Sequence, residues 1–269
     1  MMRFRELAFR SSNALLIGAL RSLHRRFKIS TTYKLGPDGA SALFEDCWFT
    51  YNVGEFGCTG NIDYAPDAEN STRNMLFGRV KATQVFYDIG AHGGVYSLTL
   101  LRRFPKMTVH SFEPQPERLR ENFKLNGVAS DRVHAVALGD QEGSVKMTTN
   151  ERSSNHISES GDRVVPIVRL DDYVQENGIP APDWIKIDIE GMELPALRGA
   201  EQILRSSHPT IICEINHLSG RYGSKVSELI GYLGSLGYSM FALEDGELNA
   251  VQGEPLPNSA DWNYWFLAR

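Results

Sequence analysis

The sequence predicts an α/β protein in which a mostly parallel sheet carries helices on both faces. From residue 85 onward, short apolar segments alternate with helical segments, which is typical of strand–helix–strand units. Strand segments such as 184–187 (WIKI) and 210–213 (TIIC) contain few polar residues, as expected for strands buried on both faces. A glycine-rich turn follows the first of these strands, and acidic residues follow several of them.

Length and composition agree with a globular enzyme. The chain has 269 residues, of which 42% are hydrophobic and 23% are charged, and its net charge is −5. This charge gives no indication of nucleic-acid binding, and none is expected. Three cysteines without a C-x-x-C pair favour neither a disulfide framework nor a zinc site, so we expect a reducing, cytoplasmic environment.

Residues 1–80 are predicted to form an N-terminal extension ahead of the main domain at 81–269. Within it, residues 3–28 are expected to be helical, and residues 1–28 contain seven basic residues but one acidic residue. Two interpretations stay open for this segment: peripheral contact with an anionic membrane or a partner, and a solvated amphipathic face. The apolar run at 14–20 is too short to span a bilayer. Residues 31–68 are expected to form short strands and loops.

The main domain is predicted to continue in strict alternation, with one hairpin added. The expected strands are 85–88, 108–112, 133–137, 184–188, 210–215, 238–243 and 263–267. The expected helices are 95–104, 116–126, 193–204 and 226–236. Segments 144–148 and 164–169 are predicted to form the hairpin, separated by a polar loop at 150–162.

Acidic residues follow the strands of this predicted sheet at their carboxyl ends. Because ligands of such sheets bind at that edge, near the point where the strand order reverses, these acids mark the expected site. They are Asp88, Glu113, Asp140, Asp188 and Glu214.

The glycine-rich turn spans residues 88–94 (DIGAHGG). Glycine allows a tight turn and close approach of a ligand, as at Gly90 and Gly94, and the following helix start suits a carboxylate or phosphate. The spacing matches neither the dinucleotide fingerprint nor the P-loop. The preceding Asp88 suits a ligand that bears an ammonium group, as S-adenosylmethionine does. The alternative is a strand–helix turn without a ligand.

Two further turns suit a nucleoside. Glu113, followed by Pro114, lies about twenty residues past the glycines, where an acid at a strand end can bind both ribose hydroxyls. The same geometry serves nicotinamide dinucleotides. In the turn 137–140 (ALGD), Leu138 is expected to lie beside an adenine ring, and Asp140 to accept from its amino group. A plain turn with Gly and Asp chosen for backbone reasons explains that segment equally well.

The segment 186–193 (KIDIEGME) concentrates charge at the same edge. One acid can orient the ammonium group of a cofactor, and another can accept a proton from a substrate hydroxyl. The alternative is a set of acids that complements a helix dipole, which explains Glu193 well and Asp188 poorly.

Taken together and in order, these motifs resemble the FkbM-type methyltransferase family. The resemblance rests on segments 87–97, 112–114, 137–140, 169–172, 186–193 and 209–214, and leaves residues 1–80 outside. It implies a Rossmann-like class I methyltransferase fold, whose seven-stranded sheet ends with one antiparallel strand. It also implies S-adenosylmethionine as donor and a small-molecule or glycan acceptor, methylated on a sugar or polyketide-type hydroxyl.

The resemblance also assigns residues. The cofactor-binding positions that it implies are Asp88, Gly90, Ala91, His92, Gly94, Glu113, Pro114, Leu138, Asp140 and Asp188. His92 departs from the family pattern, in which Asn is expected.

A hydroxyl acceptor needs a base, because it is a weak nucleophile until its proton is removed. The candidates are Asp188, Glu190 and His217, although a surface or capping histidine is an equally open interpretation of His217. Acidic side chains at this edge carry oxygen ligands suited to Mg²⁺, but their spacing requires no metal, and none is predicted.

Two other functions stay open on sequence alone. A nicotinamide-dependent oxidoreductase shares the sheet, the glycines and Glu113, but it needs a G-x-G-x-x-G spacing, and Asp88 would repel a pyrophosphate. A non-catalytic cofactor-binding scaffold would need no base beside the cofactor.

Overall fold

The computed structural model describes residues 32–36, 39–51, 69–149, 155–216, 218–253 and 262–269. The predicted helix at 3–28 and the base candidate His217 lie outside these residues. Among the residues that are described, no helix is both long enough and apolar enough to cross a membrane.

Strands and helices alternate over most of the described chain. The strands are β1 (Thr32–Gly36), β2 (Gly39–Phe44), β3 (Cys47–Tyr51), β4 (Val85–Ile89), β5 (Thr108–Phe112), β6 (Val133–His134), β7 (Ala137–Leu138), β8 (Gly143–Met147), β9 (Arg163–Val168), β10 (Trp184–Ile187), β11 (Thr210–Glu214), β12 (Tyr238–Glu244), β13 (Glu247–Ala250) and β14 (Asn263–Ala268). The helices are α1 (Asn70–Arg79), α2 (Val95–Arg103), α3 (Glu117–Leu125), α4 (Leu170–Glu176), α5 (Glu193–Arg198), α6 (Glu201–Ser207) and α7 (Val226–Ser235).

The largest sheet is mixed and has eight strands, in the order β13-β12-β14-β11-β10-β4-β5-β6. Strands β6, β5, β4, β10 and β11 are parallel to one another. Strand β14 is antiparallel to both of its neighbours, β11 and β12. The predicted α/β class is therefore confirmed, but the predicted seven strands are not. The eighth strand is β13, which pairs antiparallel with β12 through a short hairpin and was not expected.

Helices cover both faces of this sheet, as predicted. Successive side chains of a strand point to opposite faces. On one face, Phe86 and Trp184 pack with side chains of α1 and α2. On the other, Tyr87 and Ile185 pack with side chains of α4 to α7. Helix α1 thus packs into the core of the main sheet, through Leu76 and its neighbours.

Two small sheets flank the main one. Strands β1, β2 and β3 form an antiparallel meander, whose Cys47 and Phe49 pack against α2 and α3. The predicted hairpin is confirmed as β8 and β9, which pair antiparallel. Strand β7 joins it in parallel to β9.

Two elements differ from the sequence prediction because tertiary contacts interrupt them. The strand predicted at 133–137 divides, since β6 stays in the main sheet and β7 pairs with β9. The helix predicted at 193–204 breaks between α5 and α6, where Gly199 lies against the backbone of Gly139. A Cβ at Gly199 would lie 2.0 Å from the Gly139 carbonyl oxygen, so only glycine permits this contact.

Candidate functional site

A cavity of about 820 Å³ opens at the carboxyl ends of β4, β5 and β10. The strand order reverses here, because β4 precedes both of its neighbours, β5 and β10, along the chain. The predicted site residues that line the cavity are Asp88, Gly90, Ala91, His92, Glu113, Pro114, Leu138, Asp188 and Glu190. Gly94 and Asp140 are not among the lining residues.

The glycine-rich turn packs closely against other segments of the protein. Gly90 has a φ of +79°, and a Cβ there would lie 1.8 Å from the carbonyl oxygen of Asp188. Gly94 has a φ of +83° and begins α2, with Leu119 packed where its side chain would be. These glycines therefore serve close backbone packing within the protein, in addition to any ligand.

His92 has a positive φ of 46°, a region in which Asn and His are among the more frequent residues. This backbone conformation explains how a histidine can stand where the family pattern has asparagine. Its backbone N–H donates to Oε2 of Glu113 over 2.9 Å. Oε1 of Glu113 accepts the N–H of Gln115 at the same distance, so the turn after β4 and the turn after β5 share one carboxylate.

Asp88 is 3% exposed and lies under the first turns of α2. Its Oδ2 accepts hydrogen bonds from both the backbone N–H and the hydroxyl of Ser97. The Ser97 hydroxyl also lies 2.7 Å from that of Ser111. Burial raises the pKa of Asp88 to about 6, against the opposing effect of these hydrogen bonds and of Lys186.

Lys186, on β10, is paired in register with Asp88 on the neighbouring strand β4, and it is 2% exposed. Its Nζ is 3.4 Å from Oδ2 of Asp188 and 5.5 Å from the centre of the Tyr96 ring. Burial alone would lower the pKa of Lys186, but the surrounding carboxylates, Asp188 foremost, raise it above its usual value. The lysine is therefore a buried, permanently charged ammonium beside the cavity.

A second carboxyl group completes this arrangement. Glu214 is hydrogen-bonded to Asp188, and its Oε2 accepts from the side-chain amide of Asn216 over 3.0 Å. Burial and the charge of Asp188 raise the pKa of Glu214. Burial would also raise the pKa of Asp188, but Lys186 and the hydrogen bond from Glu214 lower it. Asp188 is consequently the ionised partner, and Glu214 holds the proton.

Helix α1 adds two charged residues that the sequence analysis did not identify. Glu69, just before α1, has a carboxylate oxygen within 4.8 Å of oxygens of Asp188 and Glu214. Arg73, in the first turn of α1, is fully buried, with Nε 3.3 Å from Oε1 of Glu45. No local signal pointed to them, because they lie outside the motifs and reach the cavity only through packing of α1 on the sheet.

The three carboxyl groups of Glu69, Asp188 and Glu214 are close enough to bind one metal ion. The Lys186 ammonium already lies against Asp188 and supplies a positive charge at that point. The arrangement therefore needs no metal to balance its charge, and the prediction of a metal-free site stays a prediction.

The turn that carries Glu190 is tightly constrained. Glu190 has a φ of +58°, and a Cβ at Gly191 would lie 2.6 Å from the carbonyl oxygen of Leu218. Oε1 of Glu193 accepts hydrogen bonds from the backbone N–H groups of Ile189 and Gly191, so the Glu193 side chain stabilises the turn. Glu190 lines the cavity, whereas Glu193 does not. Asn216 and Leu218, on either side of His217, line it as well.

On the opposite side of the cavity, Leu138 and Met147 provide apolar surface. The backbone carbonyl of Asp140 accepts from Nη1 of Arg169, which lies just before α4. This contact accounts for the Arg169 of the motif 169–172 as a support for the turn after β7.

Charge is distributed unevenly around the cavity. Among the described residues that line it, acidic side chains outnumber Lys and Arg side chains, even with Glu214 protonated. The acids are Glu69, Asp88, Glu113, Glu117, Glu121, Asp188, Glu190 and Glu214, and the bases are Arg73, Arg118 and Lys186. The cavity therefore favours neutral or cationic ligands over anionic ones.

The chain matches the Methyltransferase FkbM domain over residues 88–240, which is more than half of its length. It belongs to the FkbM methyltransferase family. The matched region begins at Asp88 and includes every residue of the predicted site, so the family resemblance deduced from the motifs is confirmed.

Relatives of this FkbM-family chain carry names that specify methyl acceptors. It is 27% identical to the 31-O-demethyl-FK506 methyltransferase FkbM of Streptomyces tacrolimicus over 60% of this chain and 75% of that protein. It is 25% identical to the hexuronic acid methyltransferase AglP of Haloferax volcanii, over 54% of this chain and 61% of AglP. It is 28% identical to the 2-O-methyltransferase NoeI of Sinorhizobium fredii, over 46% of this chain and 60% of NoeI.

Proposed function

We propose that this chain transfers the methyl group of S-adenosylmethionine to a hydroxyl group on a sugar, glycan or polyketide-type small molecule. The observation that carries the proposal is one cavity that Asp88, Gly90 and Glu113 line together with Asp188 and Glu190. Family membership supports methyl transfer over the nicotinamide-dependent alternative. The names of two relatives, the 31-O-demethyl-FK506 methyltransferase and the 2-O-methyltransferase, support an oxygen acceptor.

Several residues that line the cavity fit S-adenosylmethionine, the methyl donor. Glu113 is a carboxylate suited to the two ribose hydroxyls, and the first turn of α2 offers backbone N–H groups to the methionine carboxylate. Asp88, ionised above pH 6, suits the ammonium group. Pro114 and Leu138 offer apolar surface for the adenine ring. Asp140 as its hydrogen-bond acceptor stays a prediction.

When bound, S-adenosylmethionine would supply a methyl group on a sulfonium, whose carbon–sulfur bond breaks as the acceptor oxygen bonds to the methyl carbon, with S-adenosylhomocysteine as the leaving group. The chain's own residues must then hold the acceptor close and remove its proton. Asp188 is ionised, and Lys186 and Glu214 fix its charge. It therefore suits electrostatic stabilisation of a cation better than proton transfer, because its pKa is held low.

Glu190 is then the residue that we assign as general base. It projects from a backbone in the left-handed region, and such conformations occur preferentially at functional sites. Division of labour between two nearby carboxylates, one held ionised and one accepting the proton, follows from their different surroundings. His217 is the second candidate, since both of its chain neighbours line the cavity.

The excess of carboxylates predicts the kind of acceptor. A neutral, hydroxyl-rich molecule can donate several hydrogen bonds to these acids, whereas a phosphate or carboxylate near Asp188 would be repelled. We therefore propose a neutral sugar or polyketide hydroxyl as acceptor, in contrast to the hexuronic acid in the name of AglP.

Binding and turnover should be measured separately to test this function. Calorimetry with S-adenosylhomocysteine and with NAD should give binding of the first alone. A panel of neutral, anionic and amino sugars and of polyketides, with S-adenosylhomocysteine release as readout, should give turnover with neutral acceptors. Binding of NAD instead would overturn the proposal, and binding of the nucleoside without turnover on any acceptor would favour a scaffold.

Glu190→Gln should then lower kcat by about 10²- to 10⁴-fold while the S-adenosylhomocysteine Kd stays unchanged. His217→Ala is the comparison variant and should keep most of the activity. The reverse result would reassign the base to His217, and full activity in both variants would exclude both as bases.

A further inference from the structure

Asn122, on α3, and Asn126, which follows α3 and continues its hydrogen-bonded turn, lie four residues apart and face the free edge of β3. Asn126 accepts the backbone N–H of Trp48 over 2.7 Å and donates to its carbonyl over 2.6 Å. Asn122 accepts the backbone N–H and the hydroxyl of Thr50, over 2.8 and 2.9 Å. The two side chains therefore substitute for a neighbouring strand along the edge of the meander.

The spacing of the two asparagines explains why the contact repeats. Four residues of an α-helix advance by about 6 Å, and two residues of a strand advance by about 6.6 Å. Residues 122 and 126 share one face of the helical turn because they are four residues apart. Residues 48 and 50 share one side of β3 because they are two residues apart. The helix and the strand edge are thus in register at both positions.

Only Asn122 also reaches the glycine-rich turn. Its Nδ2 donates to the carbonyl oxygen of Gly93 over 2.8 Å, and the residue is 1% exposed. Asn126 instead donates its second side-chain hydrogen bond to the backbone carbonyl of Asn122.

We propose that Asn122 is a positioning residue for the cofactor, and that it couples the N-terminal meander to the glycine-rich turn. This inference rests on the proposed function. The meander lies outside the matched family domain, which begins at residue 88, yet Thr50 lines the cavity. One buried amide thereby connects a segment outside that domain with the turn that begins α2.

The planar peptide between Gly93 and Gly94 ties the orientation of its carbonyl to that of its N–H. The carbonyl of Gly93 accepts from Asn122, and the N–H of Gly94, in the same peptide plane, donates to the carbonyl of Ala91 over 2.7 Å. Holding the carbonyl therefore fixes the orientation of the turn ahead of α2. Without the amide donor, the buried Gly93 carbonyl would lack this partner, and the turn would gain freedom that ligand binding must remove.

Matched variants in the full-length protein test this role. Asn122→Asp and Asn126→Asp each keep an acceptor for the strand N–H, because an ionised aspartate only accepts. The first variant loses the donor to the carbonyl of Gly93, and the second loses the donors to the carbonyls of Trp48 and Asn122. Both should lose thermal stability, Asn122→Asp more than Asn126→Asp, since Asn122 is buried and Asn126 is half-buried. Only Asn122→Asp should raise the Kd of S-adenosylhomocysteine, by about tenfold or more.

Kinetics add a readout that a purely structural role would not change. In Asn122→Asp, the KM for S-adenosylmethionine should rise while the KM for the acceptor stays as in the wild type. Equal Kd values in Asn122→Asp and wild type, or equal increases in both variants, would overturn the inference. Failure of the wild type itself to bind would instead count against the proposed function.

A measurement on the wild type keeps the inference testable if Asn122→Asp does not fold. Hydrogen exchange should show that S-adenosylhomocysteine increases protection of the Thr50 amide, whose N–H donates to Asn122. The amide of Lys146, in the β8–β9 hairpin, serves as a reference and should change less. Ligand binding without added protection at Thr50 would contradict the coupling.

Discussion

The two sides of the cavity are built by different means. On the loop side, comprising residues 88–94 and Glu113, the polar contacts are largely made by backbone groups that lie close in the chain or on adjacent strands. On the charged side, comprising Lys186, Asp188, Glu214 and Glu69, side chains from three separate segments balance one another's charge. The loop side therefore depends on backbone geometry, and the charged side depends on electrostatics in a buried setting.

This difference has consequences for how each side can change. A turn whose backbone is packed against another strand tolerates no added atoms, whatever their polarity. A set of buried charges tolerates a change of shape but not the removal of one partner, since the remaining charge would be left unbalanced.

Gly90→Ala should be the most damaging change on the loop side. The new Cβ would lie 1.8 Å from the carbonyl oxygen of Asp188, at a φ of +79°. We expect the free energy of unfolding to fall by about 4 kcal/mol or more, as measured by urea denaturation. Gly127→Ala is the control, because Gly127 also has a positive φ but no atom within 4 Å of the added Cβ, and it should cost about 1 kcal/mol. Similar losses in both would mean that φ alone, and not packing against Asp188, constrains the turn.

Lys186→Met should be the most damaging change on the charged side. It removes the ammonium from Asp188 and leaves a carboxylate in a buried environment without its partner. We expect a loss of about 3 kcal/mol in the free energy of unfolding at pH 7. Adding Asp188→Asn should recover part of that loss, which a double-mutant cycle measures. If the two losses simply add, the pair is not coupled and the charged side is not held by charge balance.

Acid sensitivity should come from a third region, at the edge of the main sheet. His110 and His134 are hydrogen-bonded over 3.0 Å, and His134 also contacts the Tyr173 hydroxyl over 3.2 Å. Burial lowers the pKa of each histidine to about 4, from an ordinary value of 6.5. Between these values the unfolded chain binds more protons than the folded chain, so the pair stabilises the fold at neutral pH and loses this contribution as the pH falls from about 6.5 to 4.

We expect the loss to be about 1–2 kcal/mol once partial solvent screening is allowed for. It is measured as the difference between wild type and His134→Gln in urea denaturation at pH 7, 6 and 5. The two proteins should converge in stability as the pH falls. A difference that is constant with pH would show that the histidines contribute by packing alone.

Arg205→Met should have the smallest effect. Arg205 pairs with Glu201 over 2.9 Å on the exposed face of α6, where solvent screens the interaction. We expect a change of about 0.5 kcal/mol or less in the free energy of unfolding, measured in the same way. A loss as large as that of Lys186→Met would mean that burial does not distinguish the charged side from an ordinary surface pair.

The loop side was largely predictable from the sequence because its determinants are local. A strand, an acid and glycines at fixed spacing specify where β4 ends and α2 begins, and the second acid follows at the end of β5. Nine of the predicted site residues line the cavity. His92 also follows this logic, since its backbone adopts a conformation that histidine tolerates.

The charged side was only partly predictable. Asp188 and Glu190 were identified from their motif, but the sequence contained no sign that Glu69 and Arg73 would reach the same cavity. Likewise, the break at Gly199 and the division of the strand predicted at 133–137 depend on contacts between segments far apart in the chain. Periodicity and turn chemistry involve residues that are close along the chain, so they do not predict contacts between distant segments.

The α/β class, the order of most strands along the chain, and the acids and glycines that follow those strands could be predicted from the sequence alone. Each of these features depends on periodicity or turn chemistry within a few residues. Only the tertiary structure decided which carboxyl group beside Lys186 is ionised and which holds a proton. It also decided that Asn122 connects the meander to the glycine-rich turn. Both outcomes depend on distances of a few ångströms between groups that the chain separates by many residues, and burial makes those distances matter energetically.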